Sequence, residues 1–124
     1  MLPRDNRLRT SVDFRTAFRA GVKGTSGHAL AHLARTRESH APRVGFVVSK
    51  AVGNAVTRNR VKRRARAWAA QHVPELEAGD LLVIRALPAS AEADFSALTR
   101  SLDRALRAAE RRQRKRDEAA DARR

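Results

Sequence analysis

The chain of 124 residues has no cysteine. Disulfides, thiolate metal sites and cysteine nucleophiles are thereby excluded, and a reducing compartment such as the cytoplasm is compatible. The segment Met1-Leu2-Pro3-Arg4-Asp5-Asn6-Arg7 contains no apolar h-region, so no secretory signal is expected. No window approaches the length of a transmembrane helix. The thirteen acids are scattered, and Glu75, Glu77 and Asp80 share one loop where solvation and turn formation account for them. His28, His32, His40 and His72 include no helical i,i+4 pair, so no metal site is expected in the polypeptide. Without clustered carboxylates or paired histidines, phosphodiester cleavage by the chain's own side chains is not expected. No internal repeat is visible.

What the chain has in excess is positive charge. Lys and Arg number 27 against 13 Asp and Glu, for a formal net charge of +14 and a sequence pI near 11.8. That is the electrostatic footprint of a nucleic-acid binder. Arginine dominates, the lysines being only Lys23, Lys50, Lys62 and Lys115, which favours planar recognition of phosphate. A membrane surface is a poor second partner, because the basic residues do not lie opposite one clean apolar stripe. The charge concentrates in SKAVGNAVTRNRVKRRAR, Ser49 to Arg66, which contains no acid and places six cations within the nine positions 58–66. On a solvated helix those cations would repel one another without acidic i,i+4 partners, so a polyanion is the expected occupant.

Periodicity gives an outline of the elements around that block. Residues 1–10 read as an irregular basic arm. A short helix opens at Ser11-Val12-Asp13, with Ser11 or Asp13 as cap, carries Phe14, Ala17 and Phe18 on one face, and ends at Gly21. Gly24-Thr25-Ser26-Gly27 reads as a turn, His28 to Thr36 as a strand with His28, Leu30 and His32 on one face, and Arg43 to Ser49 as a second strand. A helix capped by Asn54 or Thr57 runs to about His72, with Val61, Ala65, Trp68 and His72 as its core stripe. Asn59, Lys62, Arg63 and Arg66 gather on a neighbouring face, while Arg60 and Arg64 flank the other side. Leu81 to Ala86 reads as a strand, and Asp94 caps a long helix whose apolar positions include Phe95, Leu98, Leu102, Ala105, Leu106 and Ala109. Beyond about Glu110 the apolar pattern fades into a charged stretch, read as a fraying helix or a disordered tail.

Taken in order, these residues resemble the protein component of bacterial ribonuclease P. The resemblance covers roughly positions 2 to 109: Leu2-Pro3, Asn6-Arg7-Leu8, Asp13-Phe14…Phe18…Gly21, and Arg43-Val44-Gly45-Phe46-Val47-Val48-Ser49-Lys50. Its most specific part is Gly53-Asn54-Ala55-Val56 followed by Arg58-Asn59-Arg60 and Lys62-Arg63…Arg66. The resemblance implies an α/β (α+β) two-layer sandwich of order αβββαββα. It implies about four strands in the central sheet and a left-handed β-α-β crossover at the basic helix, although right-handed crossovers are nearly universal. On this reading residues 1–109 form one RNA-binding domain and 110–124 a charged tail.

The family binds a catalytic RNA subunit and helps remove the 5′ leader of precursor tRNA, with magnesium acting through the RNA. By that resemblance Lys50, Asn54, Arg58, Asn59, Arg60, Lys62, Arg63 and Arg66 face the catalytic RNA. Phe14, Phe18 and His32 border the leader cleft, where single-stranded bases stack. His32 stands where many relatives carry a tyrosine. Each assignment competes with a plainer one: a solvated helix face for the cations, a helix cap for Asn54, core packing for Phe14 and Phe18, and a structural role for His32. The rival function is a ribosomal-type or general RNA-binding protein with no processing role, which would bind RNA without maturing precursor tRNA. No protein partner is evident.

Overall fold

The computed structural model describes residues 2–123. Its elements are α1 (Ser11–Ala20), β1 (Val22–Thr25), β2 (Ala29–Arg35), β3 (Arg43–Val47), α2 (Ala55–His72), β4 (Asp80–Ala86) and α3 (Phe95–Ala122), joined in part by 3-10 turns. Each helix starts on a side-chain cap that satisfies an otherwise unpaired backbone N–H. Asn54 accepts from Thr57 N at 2.9 Å and Asp94 from Ala97 N at 2.7 Å, as their sequence context predicts. The cap of α1 is Thr10, which accepts from Asp13 N at 3.1 Å, so neither Ser11 nor Asp13, the two expected candidates, is the cap. Helix α3 continues past Glu110 to Ala122, and its burial extends to Gln113.

Strands lie in the order β1-β2-β4-β3, with β1/β2 and β2/β4 antiparallel and β3/β4 parallel. Register places Lys23, His32, Val83 and Gly45 in one row across the sheet. Alternation then sorts the strands into two faces. One face contributes Val22, Ala31, Leu33, Val44, Leu82 and Ile84 to the main core beneath α2 and α3. The other contributes Ala34, Leu81 and Val83 to a smaller cluster beneath Leu8, Phe14 and Ala17. The central strands β2 and β4 are apolar on both faces, so both need cover. The sheet is therefore a middle layer with α1 on one side and α2 and α3 on the other, in place of the two layers expected.

Two further expectations change. The order αβββαββα requires two strands between α2 and α3, but among the described residues there is one, β4, followed by a 3-10 turn at Pro88–Ala91. Proline lacks the N–H that a ladder needs, which suits a turn there. Conversely, Gly24 and Thr25, read as part of a turn, belong to β1. Helix α3 crosses β1 so closely that a Cβ at Gly24 would lie 2.0 Å from the carbonyl oxygen of Ala105. Glycine here allows backbone contact between helix and strand.

At one end of the sheet Asp80 is fully buried and receives Arg35 through two hydrogen bonds of 3.0 Å each, with Glu77 N donating to the same carboxylate at 2.9 Å. The Asp80 hydrogen bond is the main influence raising the pKa of Arg35, which is already high. A buried carboxylate is tolerable only with such full pairing. The pair fixes β2 against the start of β4.

Candidate nucleic-acid interface

The apolar stripe of α2 decides which of its cations face outward. Val61, Ala65, Trp68 and Ala69 are buried against the sheet and α3, and His72 stacks on Trp68 at 4.5 Å between ring centroids. This leaves the remaining arc to basic side chains, and the structure divides them by what they hold. Arg60 donates to Ala91 O at 3.0 Å and Arg64 to Ala93 O at 3.0 Å, tying α2 to the segment that leads into α3. Arg58 donates from Nε to Gly53 O at 3.2 Å, bracing the turn that enters the helix. Each guanidinium keeps further N–H donors beyond the one it uses. Asn54 is the helix cap, so its side-chain oxygen is occupied. Asn59, Arg63 and Arg66 are exposed, Lys62 is half-buried, and Lys50 is exposed in the preceding turn. None of these cations has an ion-pair partner among the described residues.

Two arginines from the N-terminal arm join this face. Leu8 N donates to Val44 O at 3.0 Å and Asn6 Nδ2 to Pro42 O at 2.8 Å, so the arm lies along β3 as a further, barely paired strand. It delivers Arg7 and Arg9 to a groove of about 190 Å³ that is also lined by Phe14, Gly45, Phe46, Lys62 and Arg66. A second concavity, about 510 Å³, is lined by Leu2, Arg7, Arg63, Arg66 and Ala67. Sequence reasoning read residues 1–10 as a basic arm but did not assign Arg7 and Arg9 to the site. Their signal is the alternation of Arg7 and Arg9 around the buried Leu8, a one-residue strand pattern too short to interpret alone.

The aromatic residues form a platform on the opposite face of the sheet. Phe14 rests over Gly45, where a Cβ would come within 2.8 Å of its ring. Phe14 and Phe18 lie 6.4 Å apart at an interplanar angle of 31°. Phe18 meets the His32 ring edge-on at 4.8 Å and 85°. Phe18 is 41% exposed, whereas His32 is only 5% exposed. The three predicted residues are thus brought together, but with unequal access. His32 supports Phe18 from beneath, and its buried ring offers no open face for a base.

His32 Nε2 is buried without a hydrogen-bond partner among the described residues. Burial, and then the charges of Arg85 and Lys23, hold its pKa below the ordinary histidine value, so the neutral ring is favoured. Among the described residues no three side chains of metal-ligating type cluster, and no helix is long and apolar enough to cross a membrane.

Comparison with known proteins bears on the family and the fold. The ribonuclease P family model matches residues 2–110. The ribonuclease P protein component of Beutenbergia cavernae is 50% identical over 106 residues, covering 86% of this chain and 89% of that protein. That of Streptomyces bikiniensis is 46% identical over 114 residues, covering 86% and 93%. The solved ribonuclease P protein of Staphylococcus aureus superposes with a TM-score of 0.74 at 24% identity, over 82% of this chain and 93% of that one. The Thermotoga maritima protein, solved in complex with 1-(4-fluorophenyl)-2-thiourea, gives 0.68 at 24% identity, over 77% and 92%. The likeness to these two structures is one of fold.

Proposed function

The chain belongs to the ribonuclease P protein family, and from that premise we propose how its surface serves the ribonucleoprotein. It is the protein subunit of ribonuclease P, the RNA-catalysed endonuclease, and acts with the RNA subunit in 5′ maturation of precursor tRNA. In our reading Lys50, Asn54, Arg58, Asn59, Arg60, Lys62, Arg63 and Arg66 meet the RNA subunit, now joined by Arg7 and Arg9. Phe14 and Phe18, with His32 beneath, receive the single-stranded leader of the precursor tRNA by stacking.

One observation carries this reading. Phe14 shares the walls of a single groove with Arg7, Arg9, Lys62 and Arg66, so aromatic faces and unpaired cations meet around the edge of β3. That combination suits a single strand whose phosphates need cations and whose bases need flat apolar surfaces. Arginines aligned on a helix supply the phosphate contacts, mostly by charge and planar geometry.

Magnesium belongs to the RNA subunit in this account, where it would support phosphodiester hydrolysis. The polypeptide contributes fixed positive charge, which reduces repulsion between leader and catalyst. The left-handed sense of the β3-α2-β4 connection, the cytoplasm as site of action, and the division into a domain of residues 1–109 and a charged extension of 110–124 are parts of the same proposal. The family match to residues 2–110 supports that division.

The test is reconstitution with a bacterial ribonuclease P RNA and assay of precursor tRNA at low magnesium. Cleavage is expected only with both components, and with a lower magnesium requirement than the RNA alone. Robust cleavage by polypeptide free of nucleic acid would overturn the account. RNA binding without any gain in processing would support the general RNA-binding alternative.

A further inference from the structure

Helix α3 presents arginines at 100, 104, 107, 111 and 114, spaced by 4, 3, 4 and 3 residues. At 3.6 residues per turn they fall within a sector of about 80° and along about 21 Å of helix. All five are exposed. The buried residues Leu98, Leu102, Ala105, Leu106 and Ala109 occupy the opposite side, so the stripe is the outermost face of the helix.

That stripe is not closed by ion pairs: among the described residues none of the five is in one. Arg100 and Arg104 reach only the hydroxyls of Ser96 and Ser101. Of the acids at helical spacing, Asp103 and Asp117 are committed elsewhere, and the exposed Glu118, at i+4 from Arg114, forms no ion pair among the described residues. Asp103 Oδ1 accepts from Trp68 Nε1 at 2.8 Å and pairs with His72 Nε2 at 2.9 Å. Glu110 makes no ion pair among the described residues, and burial raises its carboxyl above the usual range against the pull of Arg35 and Arg114. Glu77 is engaged by Arg35 at 3.1 Å. Like charges at i,i+3 and i,i+4 repel one another, and four such pairs run along this face. Arg107, Arg111 and Arg114 also line one concavity of about 420 Å³, together with Arg35, Glu77 and Glu110.

We propose that the outer face of α3 is a second docking surface for RNA backbone, occupied by a segment of the ribonuclease P RNA subunit away from its contact with α2. The proposal rests on the family reading given above. Charge complementarity selects a polyanion, and arginine suits phosphate in particular. At about 3.4 Å per residue of one strand, the 21 Å stripe matches about six nucleotides. Position selects the RNA subunit over the leader. The stripe lies on the α2/α3 side of the sheet, whereas Phe14, Phe18 and His32 lie on the α1 side.

The test uses the full chain reconstituted with a bacterial ribonuclease P RNA. Arg104→Gln, Arg107→Gln and Arg111→Gln are combined, because glutamine keeps helix propensity at exposed positions. Melting is expected to be unchanged. The log–log salt dependence of binding is expected to flatten by roughly two to three units, at about 0.9 for each phosphate no longer neutralised. Backbone footprinting should lose a protected patch on the RNA subunit that Arg63→Gln/Arg66→Gln leaves intact. Wild-type slope and full protection in the triple variant would overturn the proposal, and so would a loss of protection on precursor tRNA alone. Should the Arg63/Arg66 variant also bind as wild type, the α2 assignment falls, while the α3 stripe is still judged by its own slope and patch.

Discussion

Arg116 donates from Nη1 to the carbonyl oxygen of Ala20 at 2.6 Å, across 96 positions of sequence. Ala20 is the last residue of α1, so the guanidinium sits at the negative end of that helix and satisfies one of its orphan carbonyls. Asp117, the next residue, pairs with Arg37 at 3.1 Å and accepts from Gln113 at 3.0 Å. The charged end of α3 is thereby fastened to the helix that carries Phe14 and Phe18.

Arg116→Ala is expected to loosen the last turn of α1, with a loss of roughly 0.3–1 kcal/mol for a cation at a helix C-terminus. Hydrogen exchange of the amides near Ala17 to Gly21 should quicken while α2 is unaffected. Unaltered exchange in that turn would mean that the bond contributes nothing in solution.

The cations of α2 should separate into two groups by mutation. Arg63→Gln with Arg66→Gln is expected to weaken RNA-subunit binding without moving the melting temperature, since both side chains are exposed. Arg64→Ala should instead cost about 1–2 kcal/mol of stability, as its charged hydrogen bond to Ala93 O is removed. Arg60→Ala should do both. Denaturant titration beside RNA-binding isotherms checks the division, and equal melting losses in all three variants would contradict it.

Much of this division was legible in the sequence. The wheel of α2 set Arg60 and Arg64 on one flank and Asn59, Lys62, Arg63 and Arg66 on another, because Val61, Ala65 and Trp68 fix the buried direction. The caps Asn54 and Asp94 were legible because capping depends on a local side chain. The destinations of Arg60 and Arg64 were not, since Ala91 and Ala93 lie 31 and 29 residues away. Strand β1 was hidden because Gly24 suits a turn by composition, whereas its role is to admit the backbone of α3. The depth of His32 was hidden too, for alternation gives the face of a side chain but not what covers it. Phe18, from another element, supplies the cover.

Asp103 links α2 to α3 by serving Trp68 and His72 with one oxygen. Trp68 is 1% exposed, so Asp103→Ala leaves a buried indole N–H without a partner, at about 1–3 kcal/mol. Asp103→Asn keeps an acceptor for that N–H and should lose less. Chemical denaturation of the two variants gives the order, and an equal loss in both would show that the negative charge of Asp103 matters more than the indole bond.

His32 should make stability depend on pH. Its folded pKa lies below the unfolded value of 6.5, because of burial first and then Arg85 and Lys23. The unfolded chain therefore takes up the proton first as pH falls. Stability is complete above about pH 6.5 and is lost as pH drops from there through the folded pKa, by at most about 1.4 kcal/mol per unit. His32→Phe keeps a ring beneath Phe18 and removes the titration. The difference between wild type and variant isolates His32 from the other histidines, and parallel stability curves between pH 7 and 5 would refute the assignment.

Phe18→Ala and His32→Ala should weaken binding of precursor tRNA to the holoenzyme more than binding of mature tRNA. Only the precursor has a leader to place on the platform, and a stacked base contributes about 1–3 kcal/mol. The loss of discrimination expected for Phe18→Ala is at least about fivefold, the equivalent of about 1 kcal/mol. His32→Ala should reproduce part of it, since the imidazole braces the Phe18 ring edge-on at 4.8 Å but is itself only 5% exposed. Truncation also opens space beneath α1, so affinity has to be read beside the melting temperature. A variant that melts early yet keeps the wild-type ratio of precursor to mature affinity would assign its ring to packing alone. If both variants keep that ratio, the leader does not lie on this face of the sheet.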